Sequence, residues 1–149
     1  ESKAGNRAGE GNVTYLISSG SMTYAGLKSM IYAKLDRDDI RVRGAMRYAM
    51  RHYTLEENPG MGMQGYYYYL LSMTKAFRAY GTDILKGEDG TAHDWRKDIV
   101  SALVSRQNDD GSWTNTHGRY MESLPELATP YSMICMRTTL TEQSVSEPL

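Results

Sequence analysis

Three stretches of this chain carry no charged residue: 11–27, 58–74 and 127–136. The chain as a whole holds 17 basic and 18 acidic residues among 149, so the gaps stand out against a well-charged background. A helix that faces water on one side carries charge on that side, whereas a helix without charge has no polar face to offer. Between the gaps the charges gather. Arg41, Arg43, Arg47 and Arg51 follow the first gap, and Arg96, Lys97, Asp98 and Arg106 precede the last. Strict alternation of uncharged and striped segments predicts helical hairpins set side by side, with inner helices buried all round and outer helices half in water.

Apolar spacing places five helices on this frame. The first spans about 21–35, with Met22, Ala25, Gly26, Met30 and Ala33 near helical spacing. The second, about 39–53, carries Val42, Met46, Ala49, Met50 and Tyr53 as one stripe. "NPGMG" then breaks the chain, and a third helix over about 64–80 contains "YYYYLLSM" and stops at Gly81. "DILKGEDGTAHD" reads as a small hairpin around its Asp-Gly pair. The fourth helix opens at Asp94 as N-cap, with Trp95, Ile99, Ala102 and Leu103 on one face. The fifth begins near Leu127, with Pro130 in its first turn. Residues 1–20 read as a loosely ordered lead-in, 21–141 as one repeat domain, and 142–149 as a polar tail. The inner helices start near 22, 64 and 127, a period of roughly 40 to 60 residues. Repeat stacks need about three units for stability, so self-association or a larger parent chain is expected.

Composition removes several classes of function. A net charge of -1 supplies no basic field for nucleic acid. No apolar run reaches the roughly 18 to 20 residues of a membrane span. One cysteine, Cys135, excludes an internal disulfide and any multi-cysteine metal site. The chain starts at Glu1 rather than Met, which suggests a processed or truncated product and leaves its compartment open.

The segment "SRQNDDGSWTN" couples a helix end to a sharp turn and one of only two tryptophans. Gln107 sits where unsatisfied helix carbonyls need donors, Gly111 permits a positive-φ turn, and Trp113 can stack back across the helix ends. "QNDDGSW" resembles the Gln-x(2–5)-Gly-x-Trp motif of squalene–hopene cyclases and their relatives. "GSMTYAGLKSMIYA", "DDIRVRGAMRYAMRHYTLEENPGMGMQGYYYY" and "HDWRKDIVSAL" together resemble bacterial proteins carrying prenyltransferase and squalene-oxidase-type repeats, over about 20–137. The resemblance implies an all-α fold, an α/α toroid or part of one, with inner and outer helices alternating around an apolar cavity.

Chemistry is harder to place. "DRDD", 36–39, is similar to the Asp-x-Asp-Asp motif of class II terpene cyclases, which would make Asp38 the proton donor. Cyclases continue with Thr-Ala, however, and this chain continues with Ile40-Arg41; Arg37, Arg41 and Arg43 would also hold a carboxyl ionised. The competing reading is a turn in which Asp38 or Asp39 caps the second helix. Tyr24, Tyr66, Tyr67 and Tyr69 are candidates for lining an apolar, cation-tolerant cavity, although four successive tyrosines point four ways on a helix. Protein prenyltransferases place a zinc-ligating Asp two residues before a Cys; Met133 holds that place before Cys135, so no metal is expected. His93 and His117 lie in loops without companion ligands, and "MGM" at 61–63 with His52 reads as core filling rather than a copper site. No phosphate loop, nucleophile elbow or thioester motif is present, and no cofactor is expected. The resemblance implies a repeat domain that accommodates an apolar isoprenoid-type ligand, with any activity that of a proton-initiated cyclase in a larger parent. A non-enzymatic interaction scaffold is the alternative, and a carbohydrate-active toroid ranks behind both for want of a catalytic pair.

Overall fold

A computed structural model describes residues 6–8, 14–87 and 90–141, the side chains of 6–8 and 14–16 excepted. It contains five α-helices: α1 (Gly20–Tyr32), α2 (Ile40–Arg51), α3 (Tyr66–Tyr80), α4 (Trp95–Val104) and α5 (Pro125–Leu140). Four short strands pair as two antiparallel ribbons, β1 (Asn6–Ala8) with β2 (Thr14–Leu16), and β3 (Ile84–Lys86) with β4 (Ala92–Asp94). The first ribbon, in register Asn6↔Leu16, lies in the stretch expected to be an irregular lead-in. The second is the expected hairpin, with Ile84 opposite Asp94. The polar tail, 142–149, lies outside the described residues.

Helix α3 is the hub. It packs between α1 and α5, while α2 lies on α1 and α4 lies mainly on α5. Its sequence explains this position, because residues 66–77 are buried apart from Tyr68 and Lys75. An aromatic ladder runs outward from it: Tyr69 meets Tyr24 of α1 at 5.7 Å, Tyr24 meets Phe77 edge-on at 5.1 Å, and Phe77 meets Trp95 of α4 at 5.8 Å. Such tilted and edge contacts suit the ring quadrupoles and add about 0.5–1.5 kcal/mol per pair to the area they bury. Trp95 also donates its indole N–H to the Thr82 carbonyl at 2.7 Å, pinning the start of α4 to the end of α3.

The expectation that all three uncharged helices are buried all round holds only for α3. Helices α1 and α5 each bury one face, leaving Met22 (61% exposed), Tyr32, Met133 (60%), Ile134 and Leu140 in solvent. Absence of charge there marks surface with no polar function, not surface already covered. Helix α1 ends before Leu35 because Lys34 takes a left-handed conformation (φ 59°) and Leu35 N–H returns to the Met30 carbonyl. Helix α5 starts before Leu127 because Pro125 occupies its first turn, with no N–H to leave unsatisfied. Pro130 therefore falls inside the helix rather than in the first turn, where its ring removes one backbone hydrogen bond.

The tetra-tyrosine run anchors loops. Tyr66 donates to the Leu55 carbonyl at 2.5 Å, Tyr69 to that of Thr54 at 2.7 Å and Tyr67 to that of Thr114 at 3.2 Å. Burial pushes the phenols of Tyr66 and Tyr69 well above the usual tyrosine range, so they stay neutral donors. Tyr24, beside Tyr69, has the only buried side-chain polar atom among the described residues that lacks a hydrogen bond. Tyr69→Phe strips the partly buried Thr54 carbonyl of its donor and is expected to lower stability by about 1 kcal/mol. Tyr24→Phe removes an unpartnered hydroxyl and should leave stability unchanged or raise it by up to about 1 kcal/mol. Urea unfolding of both variants decides, and a more damaging Tyr24→Phe would contradict this reading of the core.

Candidate functional site

Two helices, α1 and α3, receive their N-terminal caps from distant loops. Helix α1 has no cap from its own Ser19; instead Asn58 (2% exposed) accepts from Ser21 N–H at 3.0 Å and donates to Ser21 Oγ at 3.2 Å. The other Asn58 contact, to the Gln64 carbonyl at 3.0 Å, folds the 58–64 loop onto the helix end. Gly20 is required there: a Cβ would stand 2.7 Å from both Pro59 Cδ and the Tyr69 ring. Helix α3 begins at Gly65, a left-handed residue (φ 65°) without a side chain to cap with. The missing group arrives from the loop before α5. Glu122, fully buried, accepts from Tyr68 N–H through Oε1 at 2.8 Å, and from Tyr67 N–H and Asn115 Nδ2 through Oε2 at 3.2 and 2.8 Å. A carboxylate fits a helix N-terminus because the unpaired amides and the positive end of the macrodipole both favour negative charge.

Between these two caps lies a cavity of about 350 Å³. Its polar wall is Ser19, Ser21, Asn58, Gln64 and Glu122, the same residues that set the two helix ends. Its other wall is Met22 of α1, Met61, Tyr68 of α3, Tyr120 and Tyr131 of α5. Tyr68 is the one member of the tyrosine run that is not in the core, because its direction on α3 falls between α1 and α5. Tyr68 and Tyr131 rings stand 6.2 Å apart across the opening.

The structure redistributes the residues singled out in the sequence. Tyr24, Tyr66, Tyr67 and Tyr69 are all at most 2% exposed, and they pack in the core rather than line the cavity. The helical step of about 100° turns these away and leaves only Tyr68 facing out. Asp38 is exposed, with its N–H donating to Asp36 Oδ1 at 2.8 Å, and lacks the apolar surroundings that would hold an acid protonated. The capping carboxylate of α2 is Asp39, which accepts from Arg41 N–H at 2.9 Å; the Arg41 side chain beside it holds its carboxyl down at about 2. Gly111 turns with φ 82°. Gln107 closes that turn by donating to the Gly111 carbonyl at 2.9 Å, instead of serving the helix end. That service falls to Trp113, whose indole donates to the Leu103 carbonyl at 2.8 Å while its ring is buried. Burial pushes the Cys135 thiol up to about 11, as expected for a thiol that acts as a small hydrophobe.

A second, open depression holds a hydrogen-bonded cluster at the end of α2. Tyr53 donates to Asp98 Oδ2 at 2.8 Å, His93 Nδ1 lies 3.7 Å from the same oxygen, and the Tyr53 and His93 rings stack at 4.4 Å. Among the described residues no group of three His, Cys, Asp or Glu side chains has a metal-binding arrangement. Glu122 escaped notice because "GRYMESLPE" reads as a polar surface loop; only the lack of a capping residue before Tyr66 hinted that a cap must come from elsewhere. No family model, curated protein or solved structure matches this chain.

Glu122→Ala leaves the Tyr67 and Tyr68 amides without an acceptor in a buried site, while the Asn115 amide keeps only its bond to the Met63 carbonyl at 2.6 Å. Stability is expected to fall by about 2–3 kcal/mol, whereas Asp39→Ala at the exposed α2 cap should cost clearly less. Thermal and urea unfolding compare the two, and equal losses would show that Glu122 is not a buried cap.

Proposed function

We propose that this chain is a helical-hairpin repeat unit of the squalene-cyclase and prenyltransferase kind, contributing an arc of an α/α toroid. The cavity at the ends of α1, α3 and α5 holds an apolar, isoprenoid-type ligand without performing catalysis of its own. The packing order supports the arc: α1, α3 and α5 lie in a row, with α2 against the first and α4 against the last. The cavity carries the ligand reading. It opens at the ends of those three helices, and the side chains on its apolar side are two methionines and three tyrosines. Pockets of about 300–1,000 Å³ with apolar walls and a few fixed polar groups are the usual form of small-molecule sites. Methionine adapts to irregular hydrocarbon shapes, and tyrosine supplies apolar area with a polar tip.

The case against catalysis is equally local. Protonating an alkene needs an acid free to give up its proton beside the substrate. Asp38 is on the surface, and the carboxylate at the cavity, Glu122, is engaged by two helix amides and an asparagine.

A second reading, the interaction scaffold, is favoured by the bare apolar flanks of α1 and α5, where Tyr32, Met133 and Leu140 are exposed. The two readings separate in one titration. Farnesol should displace N-phenyl-1-naphthylamine from a single saturable site, and Met22→Asp, at the exposed cavity wall, should weaken it about tenfold. If farnesol displaces nothing and the chain elutes as an assembly that Met133→Asp dissociates, the scaffold reading replaces the ligand reading.

A further inference from the structure

The charge distribution around the same cavity assigns its ligand a class. Glu122 is fully buried and contributes to the cavity wall, yet among the described residues no Lys, Arg or His side chain lines that cavity. Its hydrogen-bond partners are all neutral: Tyr67 N–H, Tyr68 N–H and the Asn115 amide. Hydrogen bonds from neutral groups and the positive end of the α3 dipole satisfy the carboxylate's lone pairs and offset its field in part, but they bring no opposite unit charge beside it. In a medium of low dielectric that charge sets up a negative potential in the space beside it. The opposite wall reinforces the sign. Tyr68, Tyr120 and Tyr131 present π-faces, which attract cations, and Met22 and Met61 present polarisable thioethers. The rim already holds one cation in this way: the Arg119 guanidinium lies 5.6 Å from the centre of the Tyr120 ring and donates to Gln64 Oε1 at 2.9 Å.

We propose that the cavity between the α1 and α3 caps is an organic-cation site, selecting an apolar chain that ends in an alkylammonium group over a neutral or anionic counterpart. The ammonium sits among Tyr68, Tyr120 and Tyr131, with Glu122 acting through its field from the facing polar wall and not as a direct ligand. Among the described residues Arg119 is the cation that competes for the Tyr120 ring, so its removal favours the ligand. This inference rests on the ligand reading above, since it specifies the head group of a molecule whose chain that reading supplies.

Isothermal titration with decyltrimethylammonium, 1-decanol and decyl sulfate, all well below micelle formation, tests it. The ammonium probe should bind roughly two- to fivefold tighter than decanol, with the sulfate weakest. Arg119→Gln, an exposed change that leaves both caps intact, should tighten the ammonium probe roughly twofold and weaken the sulfate further. Tyr68→Leu should erase the preference for ammonium over decanol while retaining decanol binding. Equal affinity of ammonium and decanol overturns the cation proposal and leaves the apolar-ligand reading standing. Failure of all three probes to bind overturns both.

Discussion

The fold depends on the burial of one helix end. Helix α3 begins inside the molecule, where its first amides are shut off from water and its own N-cap residue has no side chain. Unpaired buried amides would cost several kcal/mol between them. Glu122 removes that cost from a position 55 residues away from Tyr67, and in doing so ties the loop before α5 to the start of α3. Asn58 does the same for α1 from the loop before α3. The loop that leads into α3 thus caps α1 and the loop that leads into α5 caps α3, so polar contacts tie the three helices together in chain order.

The cavity follows from this arrangement. Two caps side by side bring Asn58, Gln64 and Glu122 to one place, and the gap between α1, α3 and α5 leaves Met22, Tyr68 and Tyr131 around it. A polar floor needed for structure and an apolar wall left over from packing together make a site with a sign. The bare flanks of α1 and α5 have a related origin, since α3 packs between these two helices and covers only the sides that face it.

Much of the helical framework was legible in the sequence. The Val42–Met46–Ala49 stripe, the Asp94 cap and the stop at Gly81 are local signals, and local physics decided them. The exceptions were those where tertiary context prevailed. Charge-free segments in α1 and α5 suggested complete burial, but burial also requires a neighbour. Tyr66, Tyr67 and Tyr69 were the candidates for a cavity wall and pack in the core instead; which tyrosine faces outward depended on where α1 and α5 pack, and that left Tyr68, which the sequence did not single out. Asp38 drew attention by motif, although its neighbours in the chain place it in an exposed turn. Glu122 carried no local signal at all, because its partners are 54 and 55 residues away and its loop has an ordinary polar composition.

Native-state hydrogen exchange resolved by residue tests most directly whether the capped α3 holds the structure together. Amides of α3 should exchange slowest, at the rate of global unfolding, and Tyr67 and Tyr68 should share that protection despite lying in a first helical turn, where amides normally exchange fast. Fast exchange at Tyr67 and Tyr68, or protection in α1 or α5 that outlasts that of α3, would contradict it.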